Sequence, residues 1–142
     1  VTEELSAQEI YEMGRKVEPF QIASDTRMGH IHLSVRDSLA ASAFYQKVLG
    51  FSDKFTLPSA SWIASGDYHH HLAVNEWAGK HLAKREAQLP GLAYYVIQVE
   101  KKEDLVAIAE RAKEQEAPVT WLTSSELEFT DPDGIVTHVR KG

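Results

Sequence analysis

One order of elements occurs twice in this chain, and it constrains the fold more than any single motif. From Gly29, His30-Ile31-His32-Leu33-Ser34-Val35 alternates polar and apolar residues, the period of a half-buried strand. Ile31, Leu33 and Val35 share one face, and His30, His32 and Ser34 the other. Asp37 or Ser38 can cap a following helix, whose apolar positions Leu39, Ala43, Phe44 and Val48 keep helical spacing until Gly50. Strands are predicted over 51–57, 61–65 and 68–74, punctuated by Pro58 and Gly66-Asp67. After a polar connection over 75–91 the order restarts. A strand is predicted over 92–99, then a helix over 103–116 with Leu105, Ile108, Ala109 and Ala112 as its buried stripe and Pro118 closing it. Strands over 119–123, 127–130 and 135–140 follow, with a turn at Asp131-Pro132-Asp133-Gly134. Two βαβββ units predict an α+β domain over 29–142. Its mixed sheets curl around a shared cleft with the helices outside, unlike a doubly wound parallel sheet.

Residues 1–28 do not fit that order. Thr2 or Ser6 could cap a short helix, and Gly14, Pro19 and the polar Ser24-Asp25-Thr26-Arg27 follow, so this stretch reads as an arm or linker. The chain starts at Val1, which leaves open a processed start or a piece of a longer protein.

Composition excludes several classes. The 142 residues carry 15 basic and 21 acidic side chains, a formal charge of −6, which argues against nucleic acid or an anionic membrane as partner. With no cysteine, disulfides and thiolate metal sites are out. No apolar run approaches the ~18–20 residues of a membrane span, and no signal peptide is visible, so a cytoplasmic location is expected.

The histidines carry the chemistry. Of seven, six fall on three predicted strands: His30 and His32, His69 to His71, and His138; His81 stands apart. Imidazole suits Zn, Fe, Ni and Cu. By alternation His69 and His71 share a face, His70 goes with Leu72 and Val74, and His138 with Val136 and Arg140. His30, His71 and His138 are therefore expected to line one cleft. Trp62, Trp77 and Trp121 read as core or cleft-wall aromatics, and the Asp-Pro-Asp-Gly turn as structural.

Gly29-His30-Ile31-His32-Leu33-Ser34-Val35-Arg36-Asp37, then Ala43-Phe44-Tyr45 and Val48-Leu49-Gly50-Phe51, resembles the opening motif of the vicinal oxygen chelate superfamily. This superfamily includes glyoxalase I, bleomycin-resistance proteins and extradiol dioxygenases. Asp131-Pro132-Asp133-Gly134 is similar to its closing motif, so the resemblance covers about 29–141. Gly66-Asp67-Tyr68-His69-His70-His71-Leu72-Ala73-Val74-Asn75 with Trp77 resembles the C-terminal module of two-module catechol 2,3-dioxygenase-like proteins, and the stretch before His30 resembles their inter-module linker.

The resemblance implies a divalent metal, Fe(II) first and Zn(II), Mn(II) or Ni(II) as others, with His30, His71 and His138 at ligand positions. Tyr94 stands where the family carries a histidine ligand, and His138 where it carries a glutamate. His32 and His69 are implied for acid–base work, and Tyr94 for hydrogen bonding to substrate. Extradiol cleavage of a catechol-type small molecule is the implied reaction. Glyoxalase-like isomerisation and a vestigial, metal-free binding module are the alternatives. A second similar module, in cis or in a homodimer, is the implied partner.

Overall fold

A computed structural model describes residues 4–14, 18, 19, 21–80, 82–84, 86 and 88–142; Thr2 and His81 lie outside them. A short helix, α1 (Ala7–Met13), is capped by Ser6, whose hydroxyl accepts from the Glu9 N–H at 3.3 Å. None of its residues is buried. Then come β1 (Ile31–Ser34), α2 (Ser38–Leu49), β2 (Ser52–Leu57), β3 (Ala60–Ala64) and β4 (Leu72–Asn75). The second unit follows as β5 (Tyr95–Val99), α3 (Lys102–Glu114), β6 (Val119–Thr123), β7 (Glu126–Thr130) and β8 (Val136–Lys141).

The repeat extends to strand order. One four-stranded sheet runs β1-β4-β3-β2 and the other β5-β8-β7-β6. In each, the first strand of the unit pairs parallel with the last, and the other pairs are antiparallel. The two mixed sheets do not close into a barrel, since β1 and β5 each pair on one side only.

Asp37 starts α2, its carboxylate accepting from the Ala40 N–H at 2.9 Å, and Gly50 ends it in the left-handed region at φ 74°. The buried face of α2 differs from the expected apolar stripe. Leu39 is 51% exposed, while Ser38, Ala41, Ser42, Phe44, Tyr45, Val48 and Leu49 are buried. Hydrogen bonds explain the buried serines. Ser38 donates through its N–H and hydroxyl to Glu76 Oε1, both at 2.9 Å, and the Ser42 hydroxyl pairs with that of Ser61 at 2.7 Å. The stripe of α3 is as expected, with Leu105, Ile108, Ala109 and Ala112 buried.

One core joins the units. Phe44 and Tyr45 of α2 pack on Phe129 of β7, with ring centroids 6.1 and 6.5 Å apart, and Phe129 is fully buried. Full burial of a phenylalanine contributes about 1.5–3 kcal/mol. Polar ties cross as well. Tyr45 donates to Asp131 Oδ2 at 2.8 Å, Arg111 Nε of α3 donates to the Val48 carbonyl at 2.9 Å, and Arg36 pairs with Asp133.

Two strand starts move relative to expectation. Bends over 66–71 delay β4 to Leu72, and the strand expected from 92 begins at Tyr95. The first shift relocates the histidines.

Candidate metal centre

The apolar face of β1 turns Leu33 and Val35 into the core and leaves His30 and His32 on the exposed side. Parallel pairing sets Ile31 beside Leu72, with the Ile31 N–H donating to the His71 carbonyl at 3.1 Å. That register brings the bend before β4 alongside His30. The result is a three-histidine group: one ring nitrogen each from His30, His32 and His70 lies within 4.8 Å of the others. His32 Nε2 and His70 Nε2 are 3.2 Å apart, one donating and one accepting. The rings of His30 and His70 lie 4.1 Å apart between centroids.

For His32 and His70 the surroundings favour the neutral form. Burial pushes the His70 imidazole down to about 4, with His30, His69, His32 and His71 adding repulsion. Burial, and then His30, lowers His32. Neutral imidazole is the form that ligates a metal.

His69 sits edge-on to His30 at 5.5 Å and to His70 at 4.5 Å. His71 turns elsewhere. Its ring stacks near Tyr68 (4.5 Å) and Phe51 (5.7 Å), and its Nδ1 accepts from the Ser65 N–H at 3.3 Å. Burial, and then His69, lowers its pKa. His30 and His71 still border one cavity, as expected, but His71 is outside the three-histidine group, and grouping His70 with Leu72 and Val74 requires strand alternation through 69–71. The chain bends there, so alternation does not apply.

His138 belongs to the second sheet, directly opposite Glu128 in the β7–β8 register. Its Nδ1 is 3.1 Å from Glu126 Oε1 and its Nε2 3.4 Å from Glu128 Oε2. Arg140 also binds Glu126, at 3.1 and 3.0 Å, and this pair holds the Glu126 carboxyl below its ordinary range. Tyr94 lies flat on the His138 ring, with centroids 4.0 Å apart and 10° between planes. Both His138 nitrogens thus face carboxylates, and His138 is outside the three-histidine group.

An aromatic row adjoins the histidines. Phe55 meets Trp62 (5.4 Å), Trp62 meets Trp77 (6.3 Å), and Trp77 meets His32 (6.3 Å). Trp77 is 63% exposed and Trp121 41%, so neither is a core residue. The missed partner, His70, was signalled by parallel β1–β4 pairing, which single-strand alternation does not reveal.

Residues 27–139 match the profile of the Glyoxalase/Bleomycin resistance protein/Dioxygenase superfamily. The chain belongs to this superfamily. Among curated relatives, a catechol-2,3-dioxygenase of Bacillus subtilis (strain 168) is 39% identical over 94 residues, 65% of this chain and 33% of the relative. The matched segment is thus a third of that relative's length. Among solved structures of the superfamily, a glyoxylase/bleomycin resistance protein/dioxygenase domain from Frankia sp. EAN1pec has a TM-score of 0.67 at 21% identity. The alignment covers 84% of this chain and 99% of that one. A lactoylglutathione lyase from Agrobacterium tumefaciens has a TM-score of 0.61, also at 21% identity, covering 84% and 96%. These likenesses establish the superfamily fold of two βαβββ units. Among the described residues, no helix is long and apolar enough to cross a membrane.

Proposed function

We propose that this superfamily domain is metal-dependent and extradiol dioxygenase-like, cleaving the ring of a catechol-type small molecule. One observation carries this: ring nitrogens of His30 and His32, at the start of β1, and of His70, in the bend before β4, converge to within 4.8 Å. The donor set fits a divalent ion. Two nitrogens bound at about 2.0–2.1 Å in tetrahedral geometry lie roughly 3.3 Å apart, close to the 3.2 Å between His32 and His70. An all-imidazole set suits Fe and Zn better than Mg or Ca. The resemblance to catechol 2,3-dioxygenase-like proteins implies Fe(II) ahead of Zn(II), Mn(II) or Ni(II). Such an ion supplies Lewis acidity and a template for two neighbouring substrate oxygens.

The chain's own residues supply the rest. His30 keeps the ligand role expected from sequence, His70 joins it, and His32 passes from acid–base work to ligation. His69, edge-on to both His30 and His70, is the side chain placed to take a proton from a substrate hydroxyl. Trp77, exposed beside His32 and backed by the half-buried Trp62, offers a ring face on which an aromatic substrate can stack. Tyr94 serves substrate contact, and His138, with both nitrogens on carboxylates, is not a ligand in this reading. A second similar module, in cis or in a homodimer, completes the active unit, and its location is cytoplasmic.

Anaerobic loading with Fe(II), then oxygen and a panel of catechols, tests this by ring-opening absorbance. Wild type should turn over and His70→Ala should not. Inactivity of metal-loaded wild type with every catechol would end the dioxygenase reading. A second reading, a metal-free binding module, is favoured by the His32–His70 hydrogen bond, which engages Nε2 of both rings without an ion. Metal retention separates the two. Glyoxalase-like isomerisation ranks lower, because the histidine group contains no carboxylate to act as its base.

A further inference from the structure

Between the open edges of β1 and β5 lies a cavity of about 970 Å³. That volume is at the upper end of small-molecule sites. Its walls include Leu49, Phe51, Leu72, Ile97 and Ile108, from both units. Leu49, Leu72 and Ile108 are buried behind the wall, while Ile31, Phe51, Val96 and Ile97 keep hydrocarbon surface partly open to water, at a cost that an apolar ligand would remove.

The charges are unevenly placed. Glu100, Lys101 and Asp104 line the cavity from exposed positions, where solvent and salt screen them. Arg111 is half-buried, and its Nε is fixed on the Val48 carbonyl at 2.9 Å. That bond uses one of five guanidinium donors and leaves the Nη groups. No carboxylate pairs with Arg111 among the described residues. A tethered, unpaired guanidinium in an apolar cavity is suited to a carboxylate, which it can bind through two parallel hydrogen bonds. His71 also lines this space, and with Nδ1 engaged by Ser65 its remaining ring nitrogen is Nε2.

We propose that this cavity is a binding site for a small apolar carboxylic acid. The carboxylate sits on Arg111 and the hydrocarbon body against Ile31, Phe51, Val96 and Ile97. This site is separate from the three-histidine group and needs no metal, although His30 borders both.

The test uses EDTA-treated full chain, with 4-phenylbutyrate and its neutral counterpart 4-phenyl-1-butanol as probes in calorimetric titrations. The acid should bind wild type at least ~10-fold more tightly than the alcohol, the order expected for one desolvated charge-assisted contact. The preference should shrink as salt rises, weaken but remain in Arg111→Lys, which keeps the charge and loses the paired hydrogen bonds, and vanish in Arg111→Gln. Methyl NMR shifts should map to Ile97 and Ile108. Because Arg111 also ties α3 to α2, thermal melts accompany each variant, and the salt series on wild type stands alone if Arg111→Gln unfolds. Equal binding of acid and alcohol, no binding of either, or shifts confined to Trp62 and Trp77 would overturn the proposal. Metal retention is read separately, so loss of the dioxygenase reading leaves this result interpretable, and the reverse.

Discussion

The Tyr45 phenol donates to the Asp131 carboxylate at 2.8 Å, across 86 residues, inside the core that the two units share. Burial raises the Asp131 pKa, and bonds from the Ile135 N–H and from Tyr45 partly offset that cost. Tyr45→Phe leaves a buried acceptor one donor short. The expected loss is about 1–3 kcal/mol of unfolding free energy, read from urea titrations at fixed slope. An unchanged midpoint would show that the contact carries no net stability.

A pH titration of stability in the metal-free chain tests the histidine electrostatics. Burial lowers His70 to about 4 from an ordinary 6.5. Between those values the unfolded chain holds a proton at this residue and the folded chain does not. Stability is therefore fully present above about pH 6.5 and falls as pH drops toward 4. His32 and His71, also lowered, act in the same direction. His70→Gln should flatten the profile across that window. A slope unchanged by the substitution would place the proton uptake elsewhere.

How far the sequence reveals the fold depends on which interactions decide each element. Alternation over 30–35 and the spacing of Leu105, Ile108, Ala109 and Ala112 are local hydrophobic signals, and both survive in the structure. The buried face of α2 is less legible, because Ser38 and Ser42 are buried by hydrogen bonds to Glu76 and Ser61 in other elements. Site composition follows the same rule. His30 stands out by motif and face. His70 becomes its neighbour only through the β1–β4 pairing and the bend before Leu72, neither of which a period-2 pattern encodes. His138 and Glu128 face each other through β7–β8 register, another non-local relation.

Removing residues 1–26 should leave the domain folded. The described residues of that stretch are exposed, and α1 buries nothing. Because exposed segments contribute little to cooperative unfolding, the truncated chain should melt within a few degrees of the full chain. Limited proteolysis should cut this stretch first. A melt lowered by more than about 10 °C, well beyond the shift of about 1 kcal/mol in a domain of this size, would make the stretch part of the core.

Metal content across single substitutions tests the central claim most directly. Wild type, His30→Ala, His70→Ala, His71→Ala and His138→Ala are each loaded anaerobically with Fe(II), desalted and measured by elemental analysis. Wild type, His71→Ala and His138→Ala should each retain about one ion per chain, as a single three-imidazole site implies. His30→Ala and His70→Ala should lose it while keeping their thermal melts. Retention that depends on His71 and His138 but not on His70, or no ion in wild type at all, would contradict a centre built from His30, His32 and His70.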